Sequence, residues 1–432
     1  MPFVLFYFIQ LLLFVLIFVF SDFCNPENIA ICFVLFNVII TWYFFYCKMR
    51  KILCGYLLNI VLLAFIIRIL VLFLDVYHVI PIIHSGSDSE GFHEVAFNNA
   101  VLEGFNGTWR TYTNYSNLLS CIYLFCNAQR LVGQYLNVLL GMGVVYYILL
   151  SCRELNIGYR ITRIVVAICS FFPTSIIFSG ILLREAWQEF FIIYSLFYFI
   201  KWFKTGCVSC ALIAISAVLF AAFMHSGCLF IMVGYLLSYI FYNPLLKRNS
   251  INISKLFVFS VLFVILFIFL FNTSMFTQKF AGIKDMEKDV FYERLKVKTD
   301  AGSKYLTWID IDNGKQLIAF SPLKMFYFLF SPIPFDWRGV NDIIAFLLDA
   351  MLYICMVYNI LKYKKFVRGV LHKLLYYIMI SVFVTVFVFG YGTGTSGSAM
   401  RHRIKIMPLL IMVYAIIKNE QTEKKKNYYV EN

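Results

Sequence analysis

Residues 52–74 read ILCGYLLNIVLLAFIIRILVLFL, twenty-three residues carrying one charge, Arg68. As a helix this stretch rises about 35 Å, enough to cross about 30 Å of hydrocarbon. Its apolarity is continuous rather than alternating, which excludes a barrel strand. Inside lipid every backbone amide needs a partner within the protein, so the run must be a helix. Runs of the same kind recur at about 2–20, 28–47, 131–151, 161–178, 186–203, 206–223, 228–242, 255–271, 343–361, 374–391 and 404–417. Together they predict about twelve spans, of which the last and the two flanking His225 are short. The whole composition agrees: 62% of residues are apolar, 14% are charged and 48 are Phe. A soluble chain is nearer half apolar and a quarter charged. The fold class expected is an all-α polytopic membrane protein forming a single integral membrane domain over 1–432.

Charge sets the orientation. Lys48, Arg50 and Lys51 fall in alternate short connections with Arg153, Arg160 and Arg163, and with Lys201 and Lys204. Lys247, Arg248 and Lys255 continue the set, as do Lys362, Lys364, Lys365, Arg368 and Lys373, and then Lys418 and Lys424 to Lys426. The positive-inside rule places these segments, and with them both termini, in the cytoplasm. The net charge of +14 is thereby assigned to loops, and no nucleic acid is expected as a partner. Met1–Phe20 is expected to be a retained first helix, because no basic region precedes it and Ser21-Asp22-Phe23-Cys24 lacks a small-residue cleavage site. Twelve cysteines lie mostly within apolar runs and read as small hydrophobes. Cys207 and Cys210 form one CxxC without a βαβ context or second ligand pair, so redox or metal chemistry is not expected there.

Two outer segments exceed simple turns. The first, 75–130, contains the apolar stretch Leu118–Phe125, too short to span and read as an interfacial or re-entrant helix. The second, 272–342, mixes charges of both signs and is read as a long outer loop or lid. No internal repeat supports an inverted-repeat transporter.

The first outer loop holds Ser85-Gly86-Ser87-Asp88-Ser89-Glu90-Gly91-Phe92-His93-Glu94. Carboxylates beside an imidazole can deprotonate an acceptor hydroxyl, although a solvated polar loop would carry the same residues. Asp88 and Glu90 could hold a hard cation, but no His or Cys set accompanies them, so no metal is expected. Arg184-Glu185 ends an apolar run after Leu182-Leu183, where charge is costly unless paired or functional. Arg68 lies near enough to the outer end of its span to snorkel. His225 sits at an outer turn, where it can donate to phosphate or simply meet water. Gly390–Lys405, GYGTGTSGSAMRHRIK, joins glycine and serine amides to Arg401, His402 and Arg403. That combination suits an anion such as pyrophosphate, or the headgroups of membrane lipid. Its spacing is not that of a Walker loop. Arg338 follows Phe330-Ser331-Pro332-Ile333-Pro334-Phe335-Asp336-Trp337, an aromatic segment suited to the headgroup level or to sugar stacking.

Several of these stretches resemble bacterial sugar-polymer enzymes. Asp88-x-x-x-Phe92-His93-x-x-Ala96 is similar to the acidic first outer loop of GT-C-type glycosyltransferases, which use polyprenyl-linked sugars. Pro173 through Leu182-Leu183-Arg184-Glu185 resembles a proline-then-LLRE helix end of those proteins. Met400-Arg401-His402-Arg403 before Met407-Pro408-Leu409 resembles their arginine-then-proline lead-in to a late helix. Phe330-Ser331-Pro332-x-Pro334-x-Asp336-Trp337 is similar to a segment of O-antigen and capsule repeat-unit polymerases of the Wzy type. The resemblance implies a GT-C-like fold and an inner-membrane enzyme working periplasmically on undecaprenyl-pyrophosphate-linked oligosaccharide, without a cofactor and with a chain-length regulator as a further partner. It makes Asp88 the base, with Glu90 or His93 supporting or replacing it. It gives Arg184, Arg401 and Arg403 to the departing pyrophosphate, with His225 and His402 donating to the same oxygens and Arg338 as a further substrate contact. Wzy-type polymerases rely on arginines in large periplasmic loops, whereas an acidic first loop is the GT-C feature. Polymerising a repeat and adding a single sugar therefore both stay open, as does the identity of the base. A lipid-oligosaccharide flippase is the reading from another class. It would concentrate ionisable residues at mid-membrane depth, whereas here they gather at outer helix ends.

Overall fold

The computed structural model describes residues 2–20, 25–53, 55–104, 109, 112–250, 302–309 and 311–431. Among them the chain is almost wholly helical; its strands are a two-residue pair, Tyr242–Asn243 against Arg248–Asn249. Among the described residues five helices are long and apolar enough to cross a membrane: Pro26–Arg50, Gly55–Val76, Arg130–Glu154, Val340–Phe366 and Gly369–Gly392. The pair Tyr159–Ser170 and Pro173–Gly180, bent by 46°, makes a sixth if counted as one broken span. The chain is an all-α protein whose helices suit a multi-pass membrane protein.

The other expected runs that fall on described residues form helices that are shorter or more polar than these, the first of them the apolar but short Phe3–Ile17. Val208–Met224 and Ser226–Phe241 are apolar but short. Glu185–Thr205 is long enough but carries Glu189, Lys201 and Lys204. Met407–Glu431 turns polar after Ile417. The expected span at 255–271 lies outside the described residues, as does much of the expected 272–342 loop. Within that loop, Gly314–Phe330 is a helix, capped by Asn313, whose side chain accepts from the Gln316 amide.

The chain divides into two compact units, one of Met1–Phe197 with Ser216–Ser226 and one of Tyr198–Ile215 with Gly227–Asn432. The first unit contains α1 (Phe3–Phe20), α2 (Pro26–Arg50), α3 (Gly55–Val76), α4 (Ser87–Asn98), α5 (Asn114–Phe125), α6 (Arg130–Glu154), α7 (Tyr159–Ser170) and α8 (Pro173–Gly180). It also takes the first part of α9 (Glu185–Thr205) and the last part of α10 (Val208–Met224). Helix α6 is its axis: 94% of its apolar window is buried, and α1, α2, α3, α7 and α8 all pack on it. Outward faces of the flanking helices are apolar too, as Leu63, Ile66 and Leu70 on α3 show. That pattern fits lipid rather than water outside.

Small residues let these helices approach. A Cβ on Gly141 would lie 2.6 Å from Ser179 Cβ, and one on Gly180 would lie 2.5 Å from Val71 Cγ1. The contacts bring α3, α6 and α8 together, as small residues do where no hydrophobic drive separates helix from lipid.

Helix α8 is eight residues long, and the breaks on either side of it leave carbonyls at the end of α7 and after α8 without helical partners. Two side chains satisfy them. Arg68 of α3 donates to the Ser170 carbonyl at 2.9 Å, at the end of α7, and to Ala64 at 3.2 Å. Asn137 of α6 donates to the carbonyls of Ile181 (3.0 Å) and Leu183 (2.9 Å) beyond α8. Arg68 therefore does not snorkel; it is 0% exposed and turned inward onto a helix end.

In the second unit α11 (Met232–Phe241), α12 (Gly314–Phe330), α13 (Val340–Ala345), α14 (Met351–Tyr363), α15 (Gly369–Gly392), α16 (Ser396–Arg403) and α17 (Met407–Glu431) pack around α15 and α17. Gly234 of α11 touches the Tyr377 carbonyl and Ser381 of α15, and Ser381 Oγ donates to Ile231 at 2.7 Å. Rings also stack there, Phe199 on Tyr235 and Phe203 on Tyr242. Apolar residues Leu409–Val413 of α17 are fully buried, which explains why a short apolar run still forms a core helix.

Candidate functional site

The first unit gathers charged residues at one end, where α3 stops and α6 starts. Asp75, 2% exposed, accepts from Arg130 Nη2 at 3.1 Å and from Gln134 Nε2 at 2.5 Å. The other Arg130 nitrogen, Nη1, donates to Glu90 Oε1 of α4 at 2.7 Å. One guanidinium thus ties the amphipathic α4 to the end of a spanning helix. Helix α4 starts at Gly86, whose φ of +146° is open to glycine, and Ser89 Oγ accepts the Gly86 amide at 3.0 Å. Asp88 and Glu90 occupy its first turn, where the helix dipole favours anions.

His93 lies one turn after Glu90, its Nδ1 sharing a hydrogen bond with Tyr123 Oη of α5 at 2.8 Å. Burial and the nearby Arg130 charge hold its pKa below the ordinary imidazole value, against the opposing pull of Glu90. Burial also raises the Tyr123 phenol, so at neutral pH the pair is an uncharged imidazole against an uncharged phenol. Helix α5, expected from Leu118–Phe125, runs from Asn114 and opens with a capping box of Thr113 and Ser116. Its Tyr115 packs edge-on against Phe92, the buried residue between Glu90 and His93.

Arg184 follows the α8 break. The Asn137 amide fixes that break, and its Oδ1 accepts Trp187 Nε1 at 2.8 Å, so the backbone presenting Arg184 is held on both sides. The guanidinium stands 5.8 Å from the Phe92 ring centroid and donates weakly, at 3.4 Å, to the Met224 carbonyl beside His225. Its buried Nε makes no hydrogen bond among the described residues. Of the residues singled out from sequence, Asp88, Glu90, His93, Arg184 and His225 all belong to this unit. Glu90 and His93 meet Arg130; Arg184 meets Phe92 and the residue before His225; Asp88 is half-buried, one turn before Phe92.

The other four, Arg338, Arg401, His402 and Arg403, belong to the second unit. The glycine-rich stretch is mostly helix: α15 runs through Gly392, and α16 begins at Ser396. The Ser396 amide donates to Ser303, and the Ser398 amide to its N-cap Thr395. The arginines stand in the last turn of α16, so the amides and the cations lie at opposite ends of one helix. Arg338 pairs with Asp342 at 3.2 Å and reaches Ser396 Oγ at 3.5 Å and the Gly302 carbonyl. Arg403, 0% exposed, lies 2.6 Å from Asp349 and donates to Leu329 (2.9 Å) and Ser331 (2.6 Å). The Asp349 contact is one of charge without hydrogen-bond alignment, and Nη1 alone holds both backbone carbonyls in the core. His402 stacks on Phe389 and accepts from buried Lys405 Nζ at 2.5 Å, so its Nδ1 is occupied; Arg401 is half-buried.

Sequence reasoning passed over Asp75, Arg130, Gln134 and Asn137. Arg130, Gln134 and Asn137 are spaced i, i+4, i+7 on an otherwise apolar helix, a polar stripe visible at the helical period. Among the described residues no group of three His, Cys, Asp or Glu side chains is placed to hold a metal ion. These features define a polytopic α-helical protein with a polar, partly ionised site where its helices end. No family model, curated protein or solved structure matches the chain.

Proposed function

We propose that this protein is a glycosyltransferase of the bacterial inner membrane that polymerises undecaprenyl-pyrophosphate-linked oligosaccharide repeats into O-antigen or capsular polysaccharide. The reading has about twelve spans in a GT-C-like arrangement, both termini in the cytoplasm and the reacting face in the periplasm. The observation that carries it is the end of the first unit, where carboxylates, a neutral imidazole and an incompletely paired arginine stand together. Asp88, Glu90 or His93 takes the acceptor hydroxyl proton, and Arg184, over Phe92 with its Nε uncommitted, meets the charge developing on the leaving pyrophosphate. His225 stands beside the carbonyl that Arg184 contacts and supplies a further donor. In the second unit, Arg401, His402 and Arg338 are assigned to phosphate or sugar, and Arg403 to holding the fold that presents them. A chain-length regulator is the expected protein partner.

A second reading is favoured by the position of Asp88 in the first turn of α4: a GT-C-type transferase adding one sugar from a polyprenyl-phosphate donor. Buried Arg68 and Glu189 are what a flippase would need. Deleting the gene and resolving the surface polysaccharide on a gel separates the polymerase from the other two. A single-repeat band without a ladder supports the polymerase. Loss of all repeats refutes it in favour of the transferase or flippase. In the polymerase case Asp88→Asn and Arg184→Ala each shorten or abolish the ladder; unchanged ladders from both reject the site.

A further inference from the structure

Helix α10 opens on Cys207-Val208-Ser209-Cys210 in the second unit. From sequence this CxxC promised no chemistry, but its local geometry is that of a reactive thiol. The Cys207 carbonyl accepts the amides of Cys210 (3.1 Å) and Ala211 (3.3 Å), which makes Cys207 the N-cap of α10. Gly206 before it takes φ +75°, and Thr205 Oγ1 accepts the Cys207 amide at 3.2 Å, so the turn is fixed. The Cys207 side chain is exposed. Cys207 and Cys210 stand at either end of the first helical turn, joined by that 3.1 Å backbone bond. The positive end of a helix favours a thiolate there, and hydrogen bonding from Cys210 and Ser209 draws the thiol below its ordinary pKa. Cys210, half-buried, follows one turn later on the same helix. The other exposed cysteines described, Cys32, Cys121 and Cys355, lie inside helices, and burial raises the Cys121 thiol. Lys201 and Lys204 precede the motif and favour an anionic partner.

We propose that Cys207 and Cys210 form a thiol–disulfide exchange pair that reacts with anionic small-molecule disulfides such as oxidised glutathione. The Cys207 thiolate attacks one sulfur of the disulfide; that S–S bond breaks, and one glutathione thiolate leaves. The Cys210 thiol, losing its proton to solvent, attacks the Cys207 sulfur of the mixed disulfide and expels the second glutathione. Two cysteine thiols are oxidised to one disulfide, and one glutathione disulfide is reduced to two thiols. The pair is independent of the sugar chemistry proposed above.

The test uses the full chain in detergent micelles, reduced, freed of reductant and treated with oxidised glutathione. Peptide mass spectrometry and maleimide labelling then report on each cysteine. Expected is joint loss of labelling at Cys207 and Cys210 with no glutathione retained. Cys210→Ser then keeps one glutathione on Cys207, and Cys207→Ser forms neither product at a comparable rate. Alkylation of Cys207 also persists to lower pH than that of Cys121. The proposal is overturned if the wild type keeps both thiols, if glutathione stays bound to it, or if Cys207→Ser reacts as fast as the wild type. Both substitutions lie at the surface end of α10, and a Cys121→Ser control leaves the exchange unchanged.

Discussion

Replacing Asn137 by alanine removes a side chain that makes three strong hydrogen bonds in the buried centre of the first unit. Its amide satisfies the Ile181 and Leu183 carbonyls at 3.0 and 2.9 Å, and its Oδ1 accepts the Trp187 indole at 2.8 Å. Hydrogen bonds between membrane helices contribute on average about 0.6 kcal/mol and at most about 1.7 kcal/mol each. Three lost together cost about 2 to 5 kcal/mol on that scale. Water does not compensate readily, because Asn137, Ile181 and Leu183 are all 0% exposed. Asn137→Asp keeps the acceptor for Trp187 but sets a carboxylate against two carbonyls, so it is expected to be worse than alanine. Unfolding in mixed micelles of increasing sodium dodecyl sulfate, followed by tryptophan fluorescence, measures both. A loss below about 0.5 kcal/mol for Asn137→Ala, or an aspartate variant as stable as wild type, would show that the break after α8 does not depend on this amide. Should stability fall while the polysaccharide ladder persists at low temperature, the break would be structural only.

Arg403→Met leaves Asp349 charged and buried, and is expected to cost about 3 to 5 kcal/mol; adding Asp349→Leu should recover much of the loss in a double-mutant cycle. His93 titrates below the ordinary imidazole pKa, so its contribution is complete above about pH 6.5 and is lost as pH falls through the depressed folded value. Melting temperatures between pH 5 and 8 should therefore drop on the acid side in wild type and less so in His93→Gln. Gly180→Ala drives a methyl onto the stiff Val71 side chain and should cost about 1 to 3 kcal/mol, whereas Gly55→Ala, which meets nothing within 4 Å, should be near neutral in the same assay.

The helical class was legible because apolar runs near span length leave no other structure in lipid. The break inside 161–178 was not, since Phe171-Phe172-Pro173 reads as continuous apolarity and proline is also at home in a first helical turn. Arg68 shows a second limit. Its place in the span was plain, but snorkelling and inward capping are the same residue at the same depth, separated only by which face meets α7. In the outer loop, composition pointed to Glu90 and His93, and both stand in the polar cluster. The partner that organises them, Arg130, lies forty residues away from Glu90 and was read merely as a helix boundary. Glycine and serine near 390–398 signalled exposed amides, yet the chain folds most of them into helices and gives two to local acceptors. Composition cannot distinguish an amide open to a ligand from one already paired.

The order of synthesis gives the caps of α8 one more meaning. Arg68 and Asn137 both precede α8 in the chain, so the donors for the carbonyls exposed by the breaks on either side of it are made before the broken segment leaves the ribosome. A helix that would be expensive to insert alone finds its missing partners already standing in the bilayer. Permuting the chain so that α8 emerges before α3 and α6 should leave the same contacts possible on paper and yet strand the short helix during insertion.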